Sequence, residues 1–229
     1  MELLNTKDIN MSNIRIAVGV YGVSGTGKTT FGSTFPSPCF LDTDEGLLSI
    51  RGKDVLYYNL PKQDSWYLTI KDAMDLAGKN PDVKSIIVDS MTGVATAAME
   101  YTQTVNNNVN KKPNFDDWIV FANTITDFVV KLKSYGKHVL LICHENTDKD
   151  ENTGRVWCLP AVQGQMKGKL SNLFDEFYHS EVEAVPGKPS QYKLLARPSS
   201  IYTAKSRLLK DPKVTHLSPN FNELLLLAR

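Results

Sequence analysis

Eight consecutive residues hold the densest chemistry of the chain: Gly22-Val23-Ser24-Gly25-Thr26-Gly27-Lys28-Thr29, a GxxxxGK[ST] pattern directly after an apolar run. Glycines at this spacing let successive backbone N–H groups turn toward one point. A helix starting there adds about half a positive charge, which suits a phosphate. Residues 22–29 and the following Thr30 are therefore the predicted cradle. Lys28 is predicted to reach the β and γ phosphates of a triphosphate, and the Thr29 hydroxyl to offer an oxygen to Mg²⁺. A second element of the same chemistry is an acid ending a buried strand. Ser85-Ile86-Ile87-Val88-Asp89-Ser90 is apolar until Asp89, which is predicted to hold the metal through water.

Hydrolysis also requires a group that orients or deprotonates water beside the last phosphate. Asp44 and Glu45 are the candidates, in the acidic cluster after Cys39–Asp42. The same DTDEG stretch also reads as a solvated turn. His144 follows the run Lys137–Cys143 and can donate to a phosphate oxygen, or can be a structural histidine. Late in the chain, Lys205 and Arg207 alternate around Ser206, so on a strand they share a face. Such a pair suits a double phosphate clamp, and equally a charged edge strand that discourages aggregation.

These residues require a particular scaffold. Ile14–Val20, Cys39–Asp42, Lys84–Asp89 and Lys137–Cys143 are short β-branched or aliphatic runs, predicted as strands of a buried parallel sheet, with Val55–Leu60 a candidate further strand. Helical spacing marks Asp64–Ala77, closed by Gly78, then Met91–Val105 and Phe115–Tyr135, and a further helix should run from about Gly27 until Pro36 and Pro38 stop it. The polar tract 106–114 reads as a loop, and Glu145–Arg155, with six charged residues, as a mobile one. Beyond it, Val156–Val162, Phe174–Ala184, Gln191–Leu195 and Ser200–Thr203 read as shorter strands. Strands alternating with helices, followed by short strands without a dividing linker, predict one α/β domain with an antiparallel extension.

Composition narrows the function classes. With 229 residues, 41% hydrophobic and 22% charged, the chain can build a core without disulfide or metal staples. Its 26 Lys plus Arg against 25 Asp plus Glu leave a formal charge of +1, so any polyanion site must be local. Cys39, Cys143 and Cys158 form no CxxC pair and are expected to be reduced thiols. Met1–Ser12 is polar without a leader-like apolar region, and the longest apolar runs are far short of a membrane span; no membrane partner and a cytoplasmic setting are expected.

The series of phosphate loop, CFLDTDEG, IIVDS, VLLICHE and AKSR resembles the RecA-like ATPase core. It is most similar to the small phage AAA-type ATP-binding proteins of the Sak-four group, which act in recombination and single-strand annealing. The likeness covers about residues 12–210. It implies a three-layer P-loop NTPase with a mainly parallel sheet, helices on both faces and an antiparallel C-terminal extension. On this reading residues 1–229 form one domain, with 12–144 the nucleotide-binding core and 145–229 an oligomer- and DNA-facing part. The resemblance further implies a slow Mg²⁺-dependent ATPase stimulated by assembly or DNA. Its catalytic carboxylate would be Asp44 or Glu45, and His144 its γ-phosphate sensor. Lys205 and Arg207 would be a basic finger entering the neighbour's nucleotide site. ATP between subunits of a homo-oligomeric ring or filament, single-stranded DNA and a single-strand-binding protein are the implied partners, in the cytoplasm of a phage-infected bacterium. The DNA contacts would fall on Asn146–Arg155, on Lys111-Lys112, or on Lys167 and Lys169. The acidic character of 146–155 and the near-zero net charge keep open an alternative, a nucleotide-dependent oligomeric switch or loader acting on a protein without touching DNA.

Overall fold

The computed structural model describes residues 14–227. The reading of Met1–Ser12 as a polar segment without a leader falls outside these residues.

Six parallel strands form the body of the sheet: β1 (Ala17–Tyr21), β2 (Pro38–Asp42), β3 (Leu56–Asn59), β4 (Ser85–Asp89), β5 (His138–Cys143) and, across β1 from β5, β8 (Glu176–Glu183). Between β5 and β8 in the chain lie β6 (Glu145–Lys149) and β7 (Val156–Pro160), an antiparallel pair outside the main sheet. The antiparallel extension adds β9 (Gln191–Leu195), β10 (Lys205–Ser206) and β11 (His216–Leu217), giving the order β11-β9-β8-β1-β5-β4-β2-β3 with β10 paired to β8. The expected mainly parallel sheet with an antiparallel extension is therefore present.

Every residue of β1, β2, β4 and β5 is buried, as the continuous apolar runs require of strands covered on both faces. Alternate side chains divide between two cores. Cys39, Leu41, Ile86, Val88, Val139 and Leu141 pack against α2 (Trp66–Lys79), α3 (Met91–Val105) and α4 (Phe115–Ser134). Val18, Val20, Phe40, Ile87, Leu140 and Ile142 face the other way, toward α1 (Lys28–Gly32) and α6 (Phe221–Leu227). A short α5 (Met166–Lys169) precedes β8. The period of two along each strand thus produces the three layers.

Several boundaries differ from expectation for physical reasons. Helix α1 ends at Gly32, ahead of both prolines, where the Ser33 and Thr34 hydroxyls donate to the carbonyls of Thr30 and Phe31. Gly78 does not close α2. It lies within it, under the Tyr135 ring, where a Cβ would sit 2.4 Å from the nearest ring carbon. Segment 145–155 is not a structureless loop: Glu145–Lys149 pairs with Val156–Pro160, and Asp150 closes the tip by accepting from the N–H groups of Asn152 and Thr153. Alternating polar residues can form such a ribbon without a buried face. Ser200–Thr203 contributes only a bridge from Tyr202 to Cys158, and the paired strand is Lys205–Ser206. Helix α4 restarts after the polar tract because Asn114 and Asp117 form a reciprocal cap.

Cys39, Cys143 and Cys158 are free and buried, and among the described residues no helix is long and apolar enough to cross a membrane.

Candidate functional site

The carboxyl ends of β1, β2, β4 and β5 open into a pocket of about 840 Å³. Residues 22–29 form its floor, leaving β1 and entering α1. Gly25 and Gly27 hold φ of 84° and 83°, a left-handed conformation that costs a glycine least. Gly22 is required by close approach, since a Cβ there would lie 2.7 Å from the Ser180 carbonyl oxygen on β8. Ser180 in turn donates its hydroxyl to the Thr26 carbonyl at 2.8 Å, fastening the loop to the neighbouring strand.

Lys28 is only 7% exposed, and burial lowers its pKa. Its ammonium donates to the carbonyls of Gly22 (2.8 Å) and Val23 (2.7 Å), which hold it within the loop. Thr29 donates its hydroxyl to Asp89 Oδ2 at 2.7 Å, so the two residues assigned to metal by sequence are in direct contact. Burial pushes the Asp89 carboxyl up to about 6, and Asp44 and Asp42 add to the effect. The Thr29 hydroxyl and the Lys28 ammonium offset only part of this, so the carboxylate keeps a deficit of positive charge. A hard divalent cation fits that deficit, because a hydroxyl and a carboxylate are oxygen donors of the type Mg²⁺ selects, and phosphates and waters can complete its shell. Among the described residues no group of three or more His, Cys, Asp or Glu is placed to hold a metal, so a metal here would rely on oxygens of a bound nucleotide.

On the far side of the pocket His144 Nε2 lies 2.7 Å from Asp44 Oδ2. The hydrogen bond to Asp44 raises the histidine pKa. For Asp44 burial acts upward, but hydrogen bonds with His144, Ser90 and Thr43 outweigh it and hold the carboxyl below its usual range. Thr43 sets this geometry by accepting from the Ser90 N–H at 2.9 Å and donating to the Ser90 carbonyl at 3.0 Å. Gly93 makes room for it, since a Cβ there would be 2.3 Å from the Thr43 hydroxyl. The His144 N–H donates to Thr92 Oγ1 at 3.1 Å, fixing the end of β5 against α3.

The structure thus brings together Ser24, Gly25, Gly27, Lys28, Thr29, Thr30, Asp44, Asp89 and His144 along one pocket. Glu45 is outside it: at φ 53° the residue is exposed and borders a separate depression beside Arg51 and Tyr57. Lys205 and Arg207 also lie away from this chain's pocket. Lys205 is opposite Phe177, and Arg207 pairs with Asp175. The carboxylate of Glu176, wholly buried, accepts from the N–H groups of Arg207 (2.8 Å) and Leu208 (3.0 Å) and anchors that segment. Lys111 and Lys112 are exposed between α3 and α4, Lys167 pairs with Asp148, and Lys169 bonds to Gln165.

Sequence reasoning missed Tyr192 and Pro219, which line the pocket from the antiparallel extension. The Tyr192 ring lies against Gly27, where a Cβ would meet it at 3.0 Å. Only the fold of β9 over the loop brings it there, and no local signal marks it.

The AAA domain family matches residues 14–208, most of the chain. The chain belongs to the AAA domain family. No curated protein matches this AAA domain. Among solved structures it is similar to a KaiC-like protein from the hyperthermophilic archaeon Pyrococcus horikoshii OT3, at 13% identity and a TM-score of 0.50 over 90% of this chain and 87% of that one. It also matches the flagellar accessory protein FlaH from Methanocaldococcus jannaschii (12% identity, TM-score 0.41, 83% and 82% of the chains). A third match is the RadB recombinase (13% identity, TM-score 0.45, 79% and 87%). The fold is that of a RecA-like P-loop NTPase, and the AAA domain is a nucleotide-binding one.

Proposed function

We propose that this AAA domain binds ATP with Mg²⁺ and hydrolyses it slowly, as a RecA-like protein that assembles with copies of itself on single-stranded DNA during phage recombination or strand annealing. The contact of Thr29 with Asp89 at the mouth of the glycine loop, facing the Asp44–His144 pair, is the observation that carries the nucleotide part. Gly22–Thr30 would cradle the phosphates, with Lys28 turning from loop carbonyls to phosphate oxygens. Thr29 and Asp89 would hold the metal, which supplies charge neutralisation at the transferred phosphoryl group. Asp44 would orient and deprotonate water, while His144, bonded to it, would donate to the γ-phosphate. Glu45, exposed outside the pocket, is the weaker of the two candidate acids.

Lys205 and Arg207 would act on a neighbour's nucleotide, making hydrolysis depend on assembly. Arg207 with its side chain 69% exposed is compatible with that reach. We read residues 12–144 as the nucleotide core and 145–229 as the assembly- and DNA-facing part of one domain. The DNA role rests on resemblance more than on charge.

A second reading, an assembly switch acting on a protein partner, is favoured by the β6–β7 hairpin. Its strands and tip carry Glu145, Asp148, Asp150 and Glu151 against Lys149 and Arg155, a poor surface for phosphates.

ATP turnover with and without single-stranded oligonucleotide, over a range of salt, separates the two. Stimulation that fades as salt rises supports the DNA role. A protein that assembles with ATP yet neither binds nor responds to the oligonucleotide at low salt supports the switch. In the same assay Arg207→Ala should keep nucleotide affinity and lose turnover, and mixing it with Lys28→Ala should restore part of the activity. Intact mixed assemblies without rescue would count against a shared site.

A further inference from the structure

At the end of the sheet opposite the nucleotide pocket, where β1, β4 and β5 begin, a cavity of about 270 Å³ lies between the strand starts and the turn after α4. Arg15, Lys84 and Lys137 border it, each from a different strand entrance, together with His138 and Tyr135. No acidic residue lines it. Among the described residues none of the three cations is in an ion pair. Two neighbouring carboxylates are directed elsewhere or stand outside: Asp75 accepts from the Tyr135 hydroxyl, and Asp82 is exposed and does not border the cavity.

Two of the cations are held in place by the backbone. Arg15 donates Nε–H to the Gly136 carbonyl at 2.8 Å, which leaves the four N–H groups of its terminal nitrogens. Lys137 donates to the carbonyls of Asn80 (2.7 Å) and Val83, which leaves one N–H of its ammonium. His138 Nδ1 accepts from the Ile16 N–H at 3.2 Å, so the neutral ring carries its proton on Nε2 and is a donor. Burial, with Arg15 nearby, keeps that ring neutral, its pKa lowered to about 4. Three like charges gathered without a counter-charge repel one another, and an anion entering between them converts repulsion into attraction.

We propose that this cavity is a binding site for a small divalent oxyanion of the phosphate type, held by Arg15, Lys84 and Lys137. Donors arriving from three strands match an anion with oxygens in several directions better than a flat carboxylate. The site is separate from the nucleotide pocket, because it lies at the amino ends of the strands whose carboxyl ends form that pocket.

Inorganic phosphate is the probe, and the full chain carrying Lys28→Ala is the background, so that the glycine loop does not compete. Calorimetry should detect one phosphate site in Lys28→Ala. Adding Lys84→Ala and Arg15→Gln should weaken it by about tenfold or more, as loss of charged hydrogen bonds predicts. The His138 imidazole, followed by NMR at pH 7.5 where phosphate is largely divalent and the ring is neutral, should change its chemical shift on adding phosphate, and should lose that response in the combined variant. Should Arg15→Gln unfold the protein, the exposed change Lys84→Ala alone tests the same ordering. Phosphate affinity unaffected by these changes, or no phosphate response of His138, would overturn the assignment.

Discussion

His144 and Asp44, a hundred residues apart in the chain, meet at 2.7 Å across the nucleotide pocket, while Glu45 beside Asp44 turns out of it. The end of β5 is thereby joined to the end of β2 over the buried Asp89 of β4, which lies between them in the sheet. In the proposed nucleotide complex, a change at the γ-phosphate would reach both ends at once.

This geometry separates the two acids. Asp44→Asn should lower ATP turnover by about 10²-fold or more while leaving nucleotide affinity near that of the wild type, as expected of a group acting on water. Glu45→Gln should stay close to wild type. Phosphate release under saturating ATP, with affinity measured separately, checks both, and a larger loss in Glu45→Gln would reverse the assignment.

Asp89 is expected to show opposite effects on stability and binding. Its carboxyl is raised to about 6 chiefly by burial, so the ionised form is disfavoured in the folded chain. The free protein therefore loses stability as pH rises from the unfolded value near 4 through about 6, and retains that loss above it. Asp89→Asn, which still accepts from Thr29, should melt at the same or a higher temperature than wild type at pH 7.5 without nucleotide. It should also lose the extra stabilisation that Mg²⁺ adds to ATP. A lower melting temperature without nucleotide would contradict the desolvation argument.

His138 makes the fold acid-sensitive. Its ring is buried and held neutral, with a pKa near 4 against an ordinary 6.5. The unfolded chain takes up a proton first as pH falls, so stability is fully present above about 6.5 and declines toward 4. The full gap corresponds to at most about 3 kcal/mol. His138→Asn keeps an acceptor for the Ile16 N–H and cannot titrate. Its melting temperature should fall less than that of wild type between pH 7 and pH 5, and equal slopes would rule out this histidine as the source.

Much of this was legible in the residues because the relevant signals are local. The strand before the glycine loop, the buried run ending at Asp89 and the strand ending before His144 are short apolar segments whose period and termini state their own fate. The misses depended on distant partners. Gly78 reads as a helix stop until Tyr135 is known to pack on it, and 145–155 reads as a loop because a polar ribbon has no hydrophobic pattern. Asp44 and Glu45 are indistinguishable in sequence; Thr43, stapled to Ser90 in the gap left by Gly93, turns one of them inward. Tyr192 enters the site only because β9 folds back along β8.

The most direct measurement is calorimetric titration of ATP with Mg²⁺ into the wild-type protein and into Lys28→Ala. One nucleotide site per chain in the first, Mg²⁺-dependent and abolished in the second with the fold intact, is the predicted result. Equal affinity in both proteins would contradict the assignment of residues 22–30 as the phosphate cradle.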